Sequence, residues 1–190
     1  MLPVASCAVG AGGTIGLHYT TDHSVRVQLE VPLEVDLVGA GTTAAAQGRP
    51  YMRAAVVPQL AYDVSSSSFD GGVRIALGPV FGVGGSWLAP AFTIGGSGFS
   101  GKGSGFSGKD ALDVGFTMDL EIPYSNDASC SDLRFNNLLV PQVSLARRVY
   151  DVDHPLSSAG GDWDVGIAVG VRHTRFVTCA GASSAPPAMR

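Results

Sequence analysis

The chain has 190 residues, 45% of them apolar, with 16 acidic and 12 basic side chains and a formal net charge of −4. That length suits one domain; the 26 glycines follow no Gly-X-Y period, which excludes collagen, and the 12 lysines and arginines lie mostly inside patterned segments, leaving no basic patch for nucleic acid. No apolar run reaches the 18 residues of a membrane-spanning helix, an absence that leaves spanning strands of about 10 residues open.

Eight strands are predicted, over 8–20, 24–38, 51–64, 72–85, 90–99, 111–123, 138–151 and 163–176. The first sets Val9, Ile15, Leu17 and Tyr19 against Gly10, Gly12, Thr14, Gly16 and His18. In the second, Val25, Val27, Leu29, Val31, Leu33, Val35 and Leu37 oppose Arg26, Gln28, Glu30, Pro32, Glu34 and Asp36. The fourth opposes Val73, Ile75, Leu77, Phe81 and Val83 to Gly72, Arg74, Ala76, Gly78 and Gly82. The fifth is the weakest, anchored only by Phe92 and Ile94. The sixth sets Leu112, Val114, Phe116, Met118, Leu120 and Ile122 against Asp113, Gly115, Thr117, Asp119 and Glu121. The eighth is the clearest: Trp163, Val165, Ile167, Val169 and Val171 against Asp164, Gly166, Ala168, Gly170 and Arg172. Nothing reads as a helix, since Thr42 to Gln47 is too short to stand alone.

Bulky apolar groups on one face, with glycines, alanines and charges on the other, invert what a soluble core needs. The small and charged face suits the crowded interior of a narrow closed sheet, and the apolar face suits lipid. The expected fold is all-β: an eight-stranded antiparallel up-and-down transmembrane β-barrel, one domain over 8–176 with tails at 1–7 and 180–190. The tail from Ala180 is expected to be disordered or the beginning of a linker. An even strand count returns both termini to one side. The connections near 39–50, 85–90 and 124–137 fall on that side; those near 20–24, 64–71, 99–110 and 151–162 fall on the other. Export requires a signal, which Met1 to Cys7 does not supply; one is expected to have been removed, the alternative being a chain that is never exported.

Two features test this arrangement. Tyr19, Tyr51, Tyr62, Trp87, Tyr124, Tyr150, Trp163 and Phe176 sit near strand ends and are expected to form lipid-facing girdles. Against the barrel, Pro32, Pro58, Pro79 and Pro141 fall inside strands, where each removes a ladder donor and a closed sheet offers no edge. A soluble β-sandwich would tolerate them more easily. The tandem heptads 96–102 and 103–109 are expected to form a flexible connector.

The interior face collects Arg26, Arg53, Arg74 and Arg172 with Glu30, Glu34, Asp36, Asp63, Asp113, Asp119, Glu121 and Asp164. Opposed carboxylates and guanidiniums can form a network that plugs the lumen and holds register. Acids outnumber arginines, so some carboxylates are expected to be protonated, wetted or bound to a cation, and a cation-selective channel is the functional alternative. No catalytic residue is assigned. His18, His23, His154 and His173 lack metal-ligand spacing, and a serine–histidine–acid site for a lipid hydrolase or acyltransferase could be assembled from His154 or His23 with the loop serines. Asp151, Asp153, Asp162 and Asp164 read as a solvated acidic loop rather than a calcium site. No cofactor and no metal is expected. In this topology Cys7, Cys130 and Cys179 lie at one end, so a Cys130–Cys179 disulfide is open, with Cys7 also within reach.

The whole pattern over 8–176 resembles the small eight-stranded outer-membrane barrels of Gram-negative bacteria, in architecture rather than motif. The strand ending at Phe176 is similar to the terminal aromatic strand that the barrel-insertion machinery recognises in those proteins, although here Val177 through Arg190 follow. The resemblance implies a bacterial outer-membrane location and membrane lipids as partners, with an envelope or surface protein as a further one. The leading functional reading is a non-enzymatic structural or surface-interaction barrel with a charge-plugged lumen. A narrow ion or small-solute channel, a lipid-modifying enzyme and a soluble β-sandwich binding module are the alternatives.

Overall fold

Side chains of period two can satisfy two different environments only if the backbone polar groups between them are paired, and the chain pairs them by closing. A computed structural model describes residues 6–21, 23–38, 50–65, 67–102, 105–107, 111–127, 135–151 and 163–177. The strands are β1 (Ser6–Thr20), β2 (Val25–Glu30), β3 (Leu33–Val38), β4 (Tyr51–Asp63), β5 (Ser68–Val83), β6 (Ser86–Lys102), β7 (Gly105–Ser107), β8 (Ala111–Asp127), β9 (Phe135–Asp151) and β10 (Trp163–Val177). Each wall strand pairs antiparallel with its neighbours in sequence, and β10 returns to β1 over Cys7↔Val177 to Thr20↔Asp164. No edge is left in the wall.

The wall has eight strands because β2 and β3 act as one. Both keep a single register on β1, Thr14↔Glu30 and Ala11↔Leu33, on either side of Val31-Pro32. The eight expected strands are therefore all present, and the closed sheet excludes the soluble β-sandwich. One expected connection is shorter than its 85–90 span. β5 runs to Val83 and β6 starts at Ser86, joined by Gly84 and Gly85 at φ 59° and 87°. Two positive φ values in a two-residue loop match the right-handed strand twist, and glycine adopts them without a steric penalty.

The prolines are absorbed without an edge. Val31 N–H donates to Pro58 O at 3.0 Å and Gly12 N–H to Pro32 O at 3.1 Å, so the β2/β3 break is bridged on both sides. Pro79 and Pro90 fall opposite one another, between the pairs Leu77↔Phe92 and Phe81↔Leu88. Pro141 pairs with Val169 on one side and faces an interval in the β8–β9 ladder between Asp119↔Gln142 and Ile122↔Leu139 on the other. Each missing donor thus lies where one ladder is already interrupted.

The tandem heptads are not a simple connector. The first continues β6 to Lys102, and part of the second forms β7, which folds back with Ser100↔Ser107, Gly101↔Phe106 and Lys102↔Gly105. The residues from Ala180 onward lie outside the described residues, as do Cys130 and Cys179; Cys7 is placed by its backbone beside Val177.

Burial follows the inverted pattern. Among the described residues, thirty-six large apolar side chains are exposed and only eight apolar residues are buried, a ratio that water would not support and lipid does. Two aromatics depart from the expected girdles. Tyr51 is buried with Val80 and Ala89, and Trp87 packs against them, on the inner face near the Gly84-Gly85 turn. Tyr51 shares the face of Arg53, and Trp87 that of Ala89, so both point inward. Tyr19, Tyr124 and Trp163 do face outward, whereas the side chains of Tyr150 and Phe176 lie outside the described residues.

The crowded interior sets different tolerances on neighbouring glycines. A Cβ at Gly16, which faces the lumen, would stand 2.6 Å from Ala168 Cβ and from Ile167 O; at Gly13, which faces out, its nearest neighbour is Glu30 O at 3.9 Å. Gly16→Val is expected to cost roughly 1–3 kcal/mol or to prevent closure, and Gly13→Val to be tolerated. The fraction migrating as the compact, heat-sensitive form on unboiled electrophoresis checks this, and equal yields for both variants would contradict the inward assignment of Gly16.

Candidate functional site

The inward face of an eight-stranded barrel is just wide enough to be filled by side chains, and here it is filled mainly by charge. Arg53 on β4 and Arg172 on β10 both donate to Glu121 on β8. These three strands divide the ring nearly evenly, so the contacts cross the lumen rather than run along one wall. Arg53 also holds Asp36, with Nε to Oδ1 at 2.6 Å and Nη2 to Oδ2 at 3.1 Å, and stands 3.4 Å from Glu34. Arg172 reaches Asp119 at 2.7 Å and Glu34 at 3.1 Å. Glu121 and Asp36 are each 1% exposed. Fully desolvated carboxylates persist only when paired, and both guanidiniums are shared among several of them.

Why the chain presents these groups together follows from register. Asp36 and Arg53 are directly paired across β3 and β4, which gives the forked contact its geometry. Glu34 shares the face of Asp36 two residues earlier, and Asp119 shares that of Glu121. Gln142, paired with Asp119 across β8 and β9, donates to it at 2.9 Å.

The other expected lumenal charges form separate pairs nearer the end where β1 turns into β2. Arg74 donates to Glu30 at 2.6 Å, and Gln28 donates to the same oxygen at 2.6 Å. Arg26 lies 3.7 Å from Asp63, its cross-strand partner. Asp113 is joined by Arg148 at 3.2 Å, and Asp164 by His18 Nδ1 at 2.6 Å. Thus Glu34, Asp36, Arg53, Asp119, Glu121 and Arg172 make one cluster, whereas Arg26, Glu30, Asp63, Arg74, Asp113 and Asp164 do not join it.

His18 and Arg148 also carry lumenal ion contacts that period alone does not pair. His18 was placed on the inner face by its period but given no partner. Gly166 makes room for it: a Cβ there would lie 2.6 Å from His18 Nδ1, and the Ser144 hydroxyl closes in from the other side. Arg148 is in phase with Gln142, Ser144 and Ala146 against Val143 and Leu145, a signal preceded by the doubly apolar Leu138-Leu139-Val140, of which Leu138 and Val140 are buried. Of the loop histidines, His154 lies outside the described residues, and His23 Nδ1 is 2.8 Å from the Tyr19 hydroxyl on the outer side. Among the described residues, no three His, Cys, Asp or Glu side chains are grouped to hold a metal.

Small spaces remain along the lumen, and Arg74 stands between two of them. The one nearer the β1–β2 turn, about 50 Å³, is bordered by His18, Arg26, Asp70, Arg74, Arg148 and Asp164 among others. The second, about 30 Å³, is bordered by Glu30, Glu34, Arg53, Arg74, Asp119 and Arg172. Arg74 borders both, held across the neck by Glu30.

No family model matches this chain, and no curated protein does. Solved structures do. Neisserial surface protein A aligns with a TM-score of 0.52 over 87% of this chain and 95% of its own, at 9% identity. A de novo designed transmembrane β-barrel covers 92% of this chain and 98% of its own at 14% identity, with a TM-score of 0.35. The Yersinia pestis outer membrane protein Ail, in a phospholipid bilayer nanodisc, covers 84% and 99% at 13% identity, with a TM-score of 0.31. At such identities the first likeness is one of fold. The chain is an eight-stranded antiparallel transmembrane β-barrel of the architecture seen in small bacterial outer-membrane proteins, with a buried ion network in its lumen.

Proposed function

We propose that this protein is a non-enzymatic barrel of the bacterial outer membrane, sealed by its own lumenal charges, and that it serves the envelope as a structural element or through the surface of its loops. The observation that carries this reading is Glu121 taking hydrogen bonds from Arg53 and Arg172, which ties three well-separated strands across the lumen. A pathway for solute would have to dismantle those contacts and pass the Tyr51, Val80, Trp87 and Ala89 cluster beyond them. Work at the two ends of the barrel, and at its lipid face, requires neither.

The network's contribution is testable by contrast with a wetter pair. Arg172→Ala leaves Glu121, Asp119 and Glu34 short of a buried counter-charge and is expected to lower unfolding stability by roughly 3–5 kcal/mol. Arg148→Ala removes a pair whose side chains are 25% and 29% exposed and is expected to cost less than about 1 kcal/mol. Urea titration of the refolded protein in vesicles measures both; equal losses would remove the basis for a central plug.

A narrow channel is favoured by one observation: two lumenal spaces share Arg74, and the central cluster opposes two guanidiniums to four carboxylates. Planar-bilayer recording separates the readings. The sealed barrel is expected to give no steady conductance, and Arg53→Ala with Arg172→Ala to raise leak currents. Discrete cation-selective steps in the unaltered protein, changed by Glu30→Gln, would establish the channel instead.

A further inference from the structure

The outward face is apolar nearly everywhere, and one exception stands out. Among the residues whose side chains are described, Arg147 is the only Asp, Glu, Lys or Arg that points outward from the wall. It is exposed, and its guanidinium lies 5.6 Å from the ring centre of Trp163, its cross-strand partner. On its other side it pairs with Val114, so the sheet offers it no carboxylate. Trp163 is itself fixed at the rim: its N–H donates to Thr21 Oγ1 at 3.0 Å, and its carbonyl accepts from Thr21 N–H at 2.9 Å. The two outward histidines with described side chains are partnered, His23 with Tyr19 and His173 with Asn137.

A cation with no counter-ion among the described residues is costly beside hydrocarbon and favourable at the headgroup level, where Trp163 and Tyr19 also stand. The contact with the indole is a cation–π one, and no hydrogen bond to a described residue occupies the guanidinium N–H donors. Those donors form a fork that matches two oxygens of a phosphate. We propose that Arg147 and Trp163 form a headgroup site for an anionic, phosphate-bearing membrane lipid at the rim beside the β1–β2 turn. The indole supplies the apolar wall against the acyl chain, and Arg147 supplies charge and donors. The site rests on the membrane-barrel reading and gives it a preferred annular lipid along β9 and β10.

Trp163 is also the reporter. The chain has two tryptophans, and Trp87 faces the lumen, so Trp87→Phe isolates the rim signal. The full chain is refolded into phosphatidylcholine vesicles that contain equal fractions of either acyl-brominated phosphatidylcholine or acyl-brominated phosphatidylglycerol. The brominated anionic lipid is expected to quench Trp163 with an apparent preference of about fivefold, the order expected for one basic group near an anionic surface. Arg147→Gln is expected to abolish the preference, Arg147→Lys to keep part of it, and raised salt to weaken it. Equal quenching by the two lipids, or a preference that survives Arg147→Gln, would overturn the site while leaving the barrel in membrane. Quenching by neither would remove the barrel reading with it. If Trp87→Phe does not refold, the same comparison in the two-tryptophan protein reads the difference above a constant lumenal background.

Discussion

Every other property of this molecule depends on the closing ladder between β1 and β10. In hydrocarbon a backbone N–H or C=O has no water to turn to, so an open sheet would leave two rows of such groups unpaired. Fourteen registered pairs from Cys7↔Val177 to Thr20↔Asp164 remove that cost. Closure also fixes what the side chains must do. With one face enclosed by only eight strands and the other against lipid, glycine and alanine are required inside wherever a long arginine must cross, and bulky aliphatic groups are required outside. The ion network is therefore a consequence of closure as much as its support. Arg53, Arg172 and Glu121 meet because the ring brings their three strands to face one another.

That dependence explains how much could be read from sequence. The fold was legible because the contrast between faces is large: Ile167 and Val169 against Gly166, Ala168 and Gly170 cannot be assigned to a water-facing and a core-facing side in the usual way. The inward charges were legible for the same reason, since Arg53, Arg74, Glu121 and Arg172 each sit in phase with small residues. Which acid each arginine meets was not. Asp36 and Arg53 are neighbours across a ladder, but Glu121 joins them only across the lumen, at a distance in sequence that no period encodes.

Where both faces of a strand are apolar, phase disappears. Leu138 and Val140 are inside and Leu139 outside, so the phase that makes Arg148 lumenal shows only further on, where Gln142 and Ser144 oppose Val143 and Leu145. The aromatics failed differently. Tyr51 and Trp87 were assigned by position at strand ends, although their phase with Arg53 and Ala89 already turned them inward. The four prolines carried real information, that hydrogen bonds are missing, but not where. Register was needed to show that Pro79 meets Pro90, and that Pro58 lies where β2 gives way to β3.

The tandem heptad shows where such a wall can change length. Seven is an odd number, and seven residues inserted into a wall strand would exchange its two faces for every residue beyond, sending arginines into lipid and leucines into the lumen. Here Gly105–Ser107 of the second copy pairs with the end of the first above Ser97↔Ala111, the last pair that joins β6 to β8. The described part of the added chain pairs with the preceding copy, and the strands below keep their phase. Hairpin tips at this rim can therefore lengthen, shorten or duplicate by any number of residues at no cost to the membrane-embedded wall. That freedom lets the exposed end diversify while the barrel beneath it stays fixed.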